Sequence, residues 1–182
     1  MKDSTIALDV KNVRRVFPDG TVALDDVSFS IHAGEFAVIA GSNGSGKSVL
    51  MSLIAGLDKA TCGTITLNGC QAGLVFQDAD AQILGETPEE DVAFGAKNCG
   101  LKKQELSECV ENALMHTGLL HKKNAPARML SGGEKRRLAV AGIIAINRSL
   151  IIFDEPFANL DWPGVKTVCS ILKQLKEEGK TI

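Results

Sequence analysis

Phe36-Ala37-Val38-Ile39-Ala40, followed by Gly41-Ser42-Asn43-Gly44-Ser45-Gly46-Lys47-Ser48, is the stretch whose reading decides the fold. The first five residues are an apolar run of buried-strand length. The next eight fit the spacing G-x-x-x-x-G-K-[ST]. From Lys47 to Ala55 the apolar positions follow a helical period, with Gly56 as the stop. Strand, glycine loop and helix in that order open an α/β nucleotide-binding fold.

The loop's chemistry follows from its residue types. Glycines let the backbone wrap closely, so that its N–H groups point at phosphate oxygens. Lys47 brings a positive charge to the β- and γ-phosphates, and the Ser48 hydroxyl is a Mg²⁺ ligand. The helix starting here adds the positive end of its dipole. The motif specifies a nucleoside triphosphate, with Gly41, Ser42, Asn43, Gly44, Ser45, Gly46, Lys47 and Ser48 as the cradle.

Upstream, Thr5 to Val10 and Val22 to Ile31 read as strands, with Asp19-Gly20 as a hairpin-type turn between them. Downstream, Thr64–Leu67 and Ala72–Phe76 are short strand candidates. Glu89 to about Leu120 is mainly helical, with breaks expected at Gly95 and Gly100. Leu106, Val110, Ala113 and Leu114 supply an apolar stripe at helical spacing. Ser131 to Ile146 is a further helix, and Leu150–Phe153 a buried strand. Pro163 to Glu178 is a last helix, with Val165, Val168, Ile171, Leu172 and Leu175 facing inward. The expected architecture is a P-loop NTPase core with an N-terminal antiparallel β subdomain and a helical subdomain over about 86–147.

Leu150-Ile151-Ile152-Phe153-Asp154-Glu155 places two carboxylates at the end of an apolar strand, which faces the ligand crevice in a parallel sheet. Asp154 is suited to holding Mg²⁺, through water. Glu155 is suited to polarising the attacking water as a general base. Two surface carboxylates capping a strand are the plain alternative, weakened by the cradle upstream. Gln77 follows the strand Ala72–Phe76, where its amide can contact both Mg²⁺ and water; a turn glutamine is the ordinary reading of that position.

Leu130-Ser131-Gly132-Gly133-Glu134 opens the helix some twenty residues before the acidic pair. It resembles the signature sequence of ATP-binding cassette (ABC) proteins. Ser131 and the two glycines present backbone N–H groups at a helix N-terminus, a second anion site. The resemblance implies a head-to-tail pair of cassettes with two ATPs sandwiched between them, so that Ser131, Gly132 and Gly133 meet the γ-phosphate held by a partner. It also places Phe17 at the adenine-stacking position, where a core phenylalanine is the other reading, and makes Gln77 the Q-loop residue. Ala158-Asn159-Leu160-Asp161 resembles the D-loop, with Asp161 directed at the opposite subunit.

A narrower resemblance, to the energy-coupling-factor and cobalt-importer ATPases, rests on Leu74-Val75-Phe76-Gln77, Asp80, Gln82, Glu89-Glu90-Asp91-Val92-Ala93-Phe94-Gly95 and Ala141–Ala145. It implies an ATPase driving import of a small solute, a metal ion or a vitamin. The membrane component would be met by the segment after Gln77, at the cytoplasmic face. The acids Glu89 to Asp91 also fit an ordinary helix N-terminus. A soluble cassette that remodels a non-membrane complex is the alternative. Tandem cassettes, long coiled-coil insertions and basic extensions, which would favour it, are absent from these residues.

Composition limits the remaining classes. A net charge of −2 over 182 residues gives no electrostatic footprint for nucleic acid. Lys135, Arg136 and Arg137 read as a solvated helix face. The five cysteines lack metal-type spacing and read as reduced, mostly packing residues. The apolar run Leu138–Ile146 is under half of the ~20 residues that a membrane span needs.

The final residues carry their own expectation. A helix ending near Gly179 and then Lys180-Thr181-Ile182 reads as the start of another strand. The resemblance implies a switch histidine beyond it, whereas His32, His116 and His121 all precede Asp154. The 182 residues therefore read as a fragment lacking one or more C-terminal strands, with a non-catalytic nucleotide-binding module as the corresponding function.

Overall fold

The computed structural model describes residues 5–158 and 160–182. The chain divides into two compact units. One comprises the chain up to Leu74 together with Arg148–Asp154 and Leu175–Ile182; the other comprises Val75–Asn147 and Glu155–Gln174.

The first unit begins with three antiparallel strands, β1 (Ile6–Val16), β2 (Val22–His32) and β3 (Cys62–Leu67), in the order β2-β1-β3. β1 pairs from Ile6 opposite His32 to Val16 opposite Val22, and on its other edge from Leu8 opposite Leu67 to Arg14 opposite Cys62. β1 runs on past the expected Val10 to Val16, β2 ends one residue past the expected Ile31, and both are irregular. Asn12 and Asp26 sit at φ 47° and 53°, and the Asn12 amide donates to the Asp26 carboxylate at 2.7 Å, which locks the two irregularities together. Helix α1 (Lys47–Ile54) lays Leu50, Leu53 and Ile54 against Leu8, Val10, Val13 and Leu24, and Leu150 closes the same core. Removing these side chains from water is the main stabilisation of the unit, roughly 1.5–3 kcal/mol for each large residue fully buried.

A second sheet pairs β4 (Ala72–Val75) with β5 (Leu150–Phe153). The apolar run Phe36–Ala40 does not form the expected strand. Val38 is 78% exposed and Phe36 44%. The reason lies in the pairing: Ile182 N–H donates to Glu35 O at 2.9 Å and Ala37 N–H to Ile182 O at 2.8 Å, and past Ala37 no ladder partner exists among the described residues. On its other side Thr181 bridges Leu150 in parallel, with Thr181 N–H to Ser149 O at 2.9 Å and Ile151 N–H to Thr181 O at 2.8 Å. Of the strand expected at Lys180-Thr181-Ile182, the structure shows an isolated bridge at Thr181.

The second unit is helical: α2 (Pro88–Asn98), α3 (Lys103–His116), α4 (Gly132–Ala145) and most of α5 (Trp162–Glu177). Thr87 caps α2 by accepting from Glu90 N–H at 3.3 Å, Pro88 fills its first turn, and Glu89, Glu90 and Asp91 complement its dipole. Val92 and Ala96 of α2, Leu114 of α3 and Leu138 and Ala141 of α4 are completely buried against one another. The expected break at Gly95 does not occur. α2 runs through it, since a side chain there would meet Ile146 Cγ2 at 2.8 Å, so this glycine permits close helix packing. The break at Gly100 is present, at φ 91°. The cysteines are all free, as expected, yet Cys62, Cys99 and Cys169 are exposed rather than packed.

Candidate nucleotide site

In the first unit, Gly41 to Gly46 turns tightly into α1. Ser45 N–H donates to Ser42 O at 3.2 Å, and Gly44 and Gly46 adopt φ 80° and 88°. At Gly46 a Cβ would lie 2.4 Å from Ala23 O and 2.9 Å from Leu24 Cδ2, so only glycine fits between the loop and β2. The Lys47 ammonium lies across the loop, donating to Gly41 O at 3.0 Å and Ser42 O at 2.9 Å. The N-terminus of α1 has no side-chain cap and no acidic residue in its first turn. Its leading N–H groups therefore face outward beneath a cation, with Ser48 exposed beside them. That donor set fits a polyphosphate with its counter-ion. Asp154, also in this unit, is buried at the end of β5. Phe17 closes the β1–β2 hairpin, accepting from Gly20 N–H at 2.9 Å; its half-buried ring is covered by the Arg15 guanidinium at 5.1 Å, not packed in the core.

In the second unit, Gln77 and Glu155 meet. Gln77 Nε2 donates to Glu155 Oε2 at 2.8 Å, across 78 positions of sequence. Glu155 sits at φ 48°, a left-handed conformation unfavourable for a glutamate. The Arg136 guanidinium holds both residues by their backbones, Nη1 to Glu155 O at 2.9 Å and Nη2 to Gln77 O at 2.8 Å. Burial lowers the pKa of Arg136, and the Glu155 charge opposes that change.

The reading of Lys135 to Arg137 as a solvated face is thus corrected: Arg136 is 7% exposed, and Lys135 is paired with Asp80 at 2.5 Å. Arg136 lies four residues before Val140 and seven before Ile143, the spacing of a buried helical stripe. That spacing was the available signal, obscured because α4 is buried nearly all round.

At the start of α4, Ser131 Oγ accepts from Glu134 N–H at 3.3 Å, and Glu134 Oε2 accepts from Ser131 N–H at 2.9 Å, a capping box. Lys122 Nζ sits 2.5 Å from Glu134 Oε1. Its hydrogen bond, then the Ser131 N–H, pulls the Glu134 carboxyl down to about 2. Gly132 and Gly133 are not needed by this unit's own packing. A Cβ on Gly132 would meet nothing within 4 Å, and one on Gly133 would reach only Leu160 Cδ2 at 3.8 Å. Asp161 accepts from Gly164 N–H at 2.9 Å at the start of α5. Its neighbour Asn159, in the expected D-loop, lies outside the described residues.

Of the acids after Gln77, Asp91 has a specific task. Its carboxylate accepts from Leu84 N–H at 2.7 Å and Gly85 N–H at 3.0 Å. Burial raises its pKa, and those two N–H groups oppose the rise. The result is a fixed turn that leaves Leu84 69% exposed. Among the described residues no helix is long and apolar enough to cross a membrane.

Known proteins were compared with these features in place. A family profile described as "ABC transporter" matches residues 24–158. A putative ABC transporter ATP-binding protein of Methanosarcina mazei is 37% identical over 97% of this chain, which spans 42% of that protein's length. The energy-coupling factor transporter ATP-binding protein EcfA of Carboxydothermus hydrogenoformans is 38% identical over 97% of the chain and 70% of its own length. Among solved structures, CbiO1 of Clostridium perfringens, described as part of the ABC transporter complex CbiONQ, superposes with a TM-score of 0.87 at 35% identity, covering 98% of this chain and 77% of that one. The chain belongs to the ABC transporter family of ATPases, in the group that includes the EcfA and CbiO proteins.

Proposed function

We propose that this chain binds and hydrolyses ATP to power import of a small solute, a metal ion or a vitamin, through a membrane partner. It would work as one of two paired cassettes, peripheral to the cytoplasmic face. The observation that carries the hydrolytic part is the bond between Gln77 and Glu155. Two residues from distant segments, each suited to a water molecule, share one hydrogen bond.

The roles follow from chemistry. Gly41 to Gly46 and the α1 N-terminus bind the phosphates through backbone N–H groups, and Lys47 exchanges its loop carbonyls for phosphate oxygens. Ser48 and Gln77 would offer oxygen ligands to Mg²⁺, and Asp154 would hold it through water; the ion when bound neutralises phosphate charge. Glu155 accepts a proton from the attacking water, which Gln77 helps to orient. Phe17 offers a ring face to adenine. Gly132 and Gly133, left open by their own unit, suit the close approach of a phosphate held by a second cassette, with Ser131 and Asp161 at the same kind of contact. The turn held by Asp91 displays Leu84 to the membrane component, in keeping with the similarity to EcfA and CbiO.

The test is MgATP binding and turnover by the wild type, Lys47→Ala and Glu155→Gln, then uptake in vesicles bearing the membrane partner. Lys47→Ala is expected to weaken ATP binding at least ~10- to 100-fold, through lost charge-assisted hydrogen bonds. Glu155→Gln is expected to keep binding and lose ~10²–10⁴-fold in turnover. Unchanged turnover in Glu155→Gln would remove it as the base, and uptake without ATP hydrolysis would overturn the coupling.

A further inference from the structure

Arg136 is a buried cation whose two terminal nitrogens are spent on main-chain oxygens. Its two acceptors belong to Gln77 and Glu155, the residues whose side chains are themselves joined at 2.8 Å. A guanidinium is a rigid planar fork, so satisfying both nitrogens fixes the two carbonyls relative to each other. Glu155 needs such a restraint. At φ 48° its backbone is in a conformation that glutamate disfavours, and a carboxylate two methylenes away goes where that backbone aims it. Holding an arginine inside the unit also costs solvation, which the carbonyl dipoles and the Glu155 charge offset.

We propose that Arg136 is a positioning residue for ATP hydrolysis, fixing the backbones of Gln77 and Glu155 together so that the Glu155 carboxylate is held for the attacking water. The inference rests on the assignment of Glu155 as the base. It also gives α4 a mechanical link: this helix, which starts at the Ser131–Glu134 capping box, cannot shift against Gln77 and Glu155 without breaking both bonds.

The experiment compares wild type, Arg136→Lys and Arg136→Met, each with and without Glu155→Gln, in the intact protein. Single-turnover and steady-state hydrolysis, affinity for a fluorescent ATP analogue and the thermal midpoint are read for each. Arg136→Met is expected to lose on the order of 10- to 100-fold in kcat, with KM and analogue affinity within about two-fold. Arg136→Lys, whose single ammonium cannot reproduce the planar fork, should fall between Met and wild type. The decisive arm is the double variant: in the Glu155→Gln background Arg136→Met should cost less than about two-fold further, because its effect runs through Glu155. An equal loss in both backgrounds, or a loss of analogue binding in step with kcat, would show a merely structural role and overturn the proposal. So would wild-type kcat in Arg136→Met. If Arg136→Met does not fold, the Lys pair is read by the same criterion. Wild-type turnover in Glu155→Gln alone defeats the assignment of the base, and Arg136's role with it, a result distinct from the others.

Discussion

Helices α1 and α4 both have glycines at their N-terminal ends, and both were read as anion sites, but they are built in opposite ways. α1 has no side-chain cap and no acid in its first turn, and its glycine is demanded by the fold: Gly46 presses on Ala23. α4 is capped by its own Ser131 and Glu134, and its first glycine faces open space. One N-terminus is a socket made by its own unit. The other satisfies itself with a carboxylate and retains only glycine surface for an outside group. A glycine can therefore mark either an internal steric demand or an external one, and only the surroundings distinguish them.

The sharpest break of this contrast is Gly46→Ala. The new Cβ is forced on to Ala23 O at a φ that alanine avoids, so folding stability should drop by at least ~2 kcal/mol with loss of ATP binding. Urea unfolding and nucleotide titration measure both; a stable variant that binds ATP would mean the loop has another conformation available. Gly132→Ala should do the reverse, leaving stability within ~1 kcal/mol of wild type or raising it, while turnover by paired cassettes falls ~10-fold, about 1.4 kcal/mol at the barrier. Full turnover there would remove the external role of Gly132.

Smaller effects concern the cap. Glu134→Ala should cost ~1 kcal/mol in thermal or urea stability. Because the Glu134 pKa is lowered in the folded state from 4.5 to about 2, its ionised form stabilises the fold above the ordinary glutamate range. That contribution is lost as pH falls from about 4.5 toward 2. Glu134→Gln should be less sensitive to acid across that window, and identical pH profiles for the two proteins would exclude the effect.

Most of the order of elements and the turn of the glycine loop into α1 were legible because glycine spacing and hydrophobic period report local geometry directly. The antiparallel β1–β2 pair was visible from Asp19-Gly20 and alternation, though its bulges at Asn12 and Asp26 were not, since left-handed asparagine and aspartate look like any other polar residue in a strand. Gln77 and Glu155 were each readable from chemistry; their hydrogen bond was not, because nothing local links positions 78 apart. Arg136 was misread for the opposite reason. Charge dominates an isolated reading, and the carbonyls that make burial tolerable come from two other segments. Phe36–Ala40 failed as a complete strand because strand identity depends on a neighbour, and its neighbour here is Ile182.

That neighbour has a consequence for the order of assembly. Thr181 and Ile182 are bonded on one side to Ser149 and Ile151 and on the other to Glu35 and Ala37, so this pairing joins segments far apart in the chain. The helical unit needs no such return, because its core from Val92 to Ala145 comes from one continuous stretch. During vectorial synthesis that unit can collapse while the strands around the phosphate loop still await their central rung. Closing so long a loop adds only logarithmically to the entropic cost but slows assembly, so the pairing next to the phosphate loop is completed late.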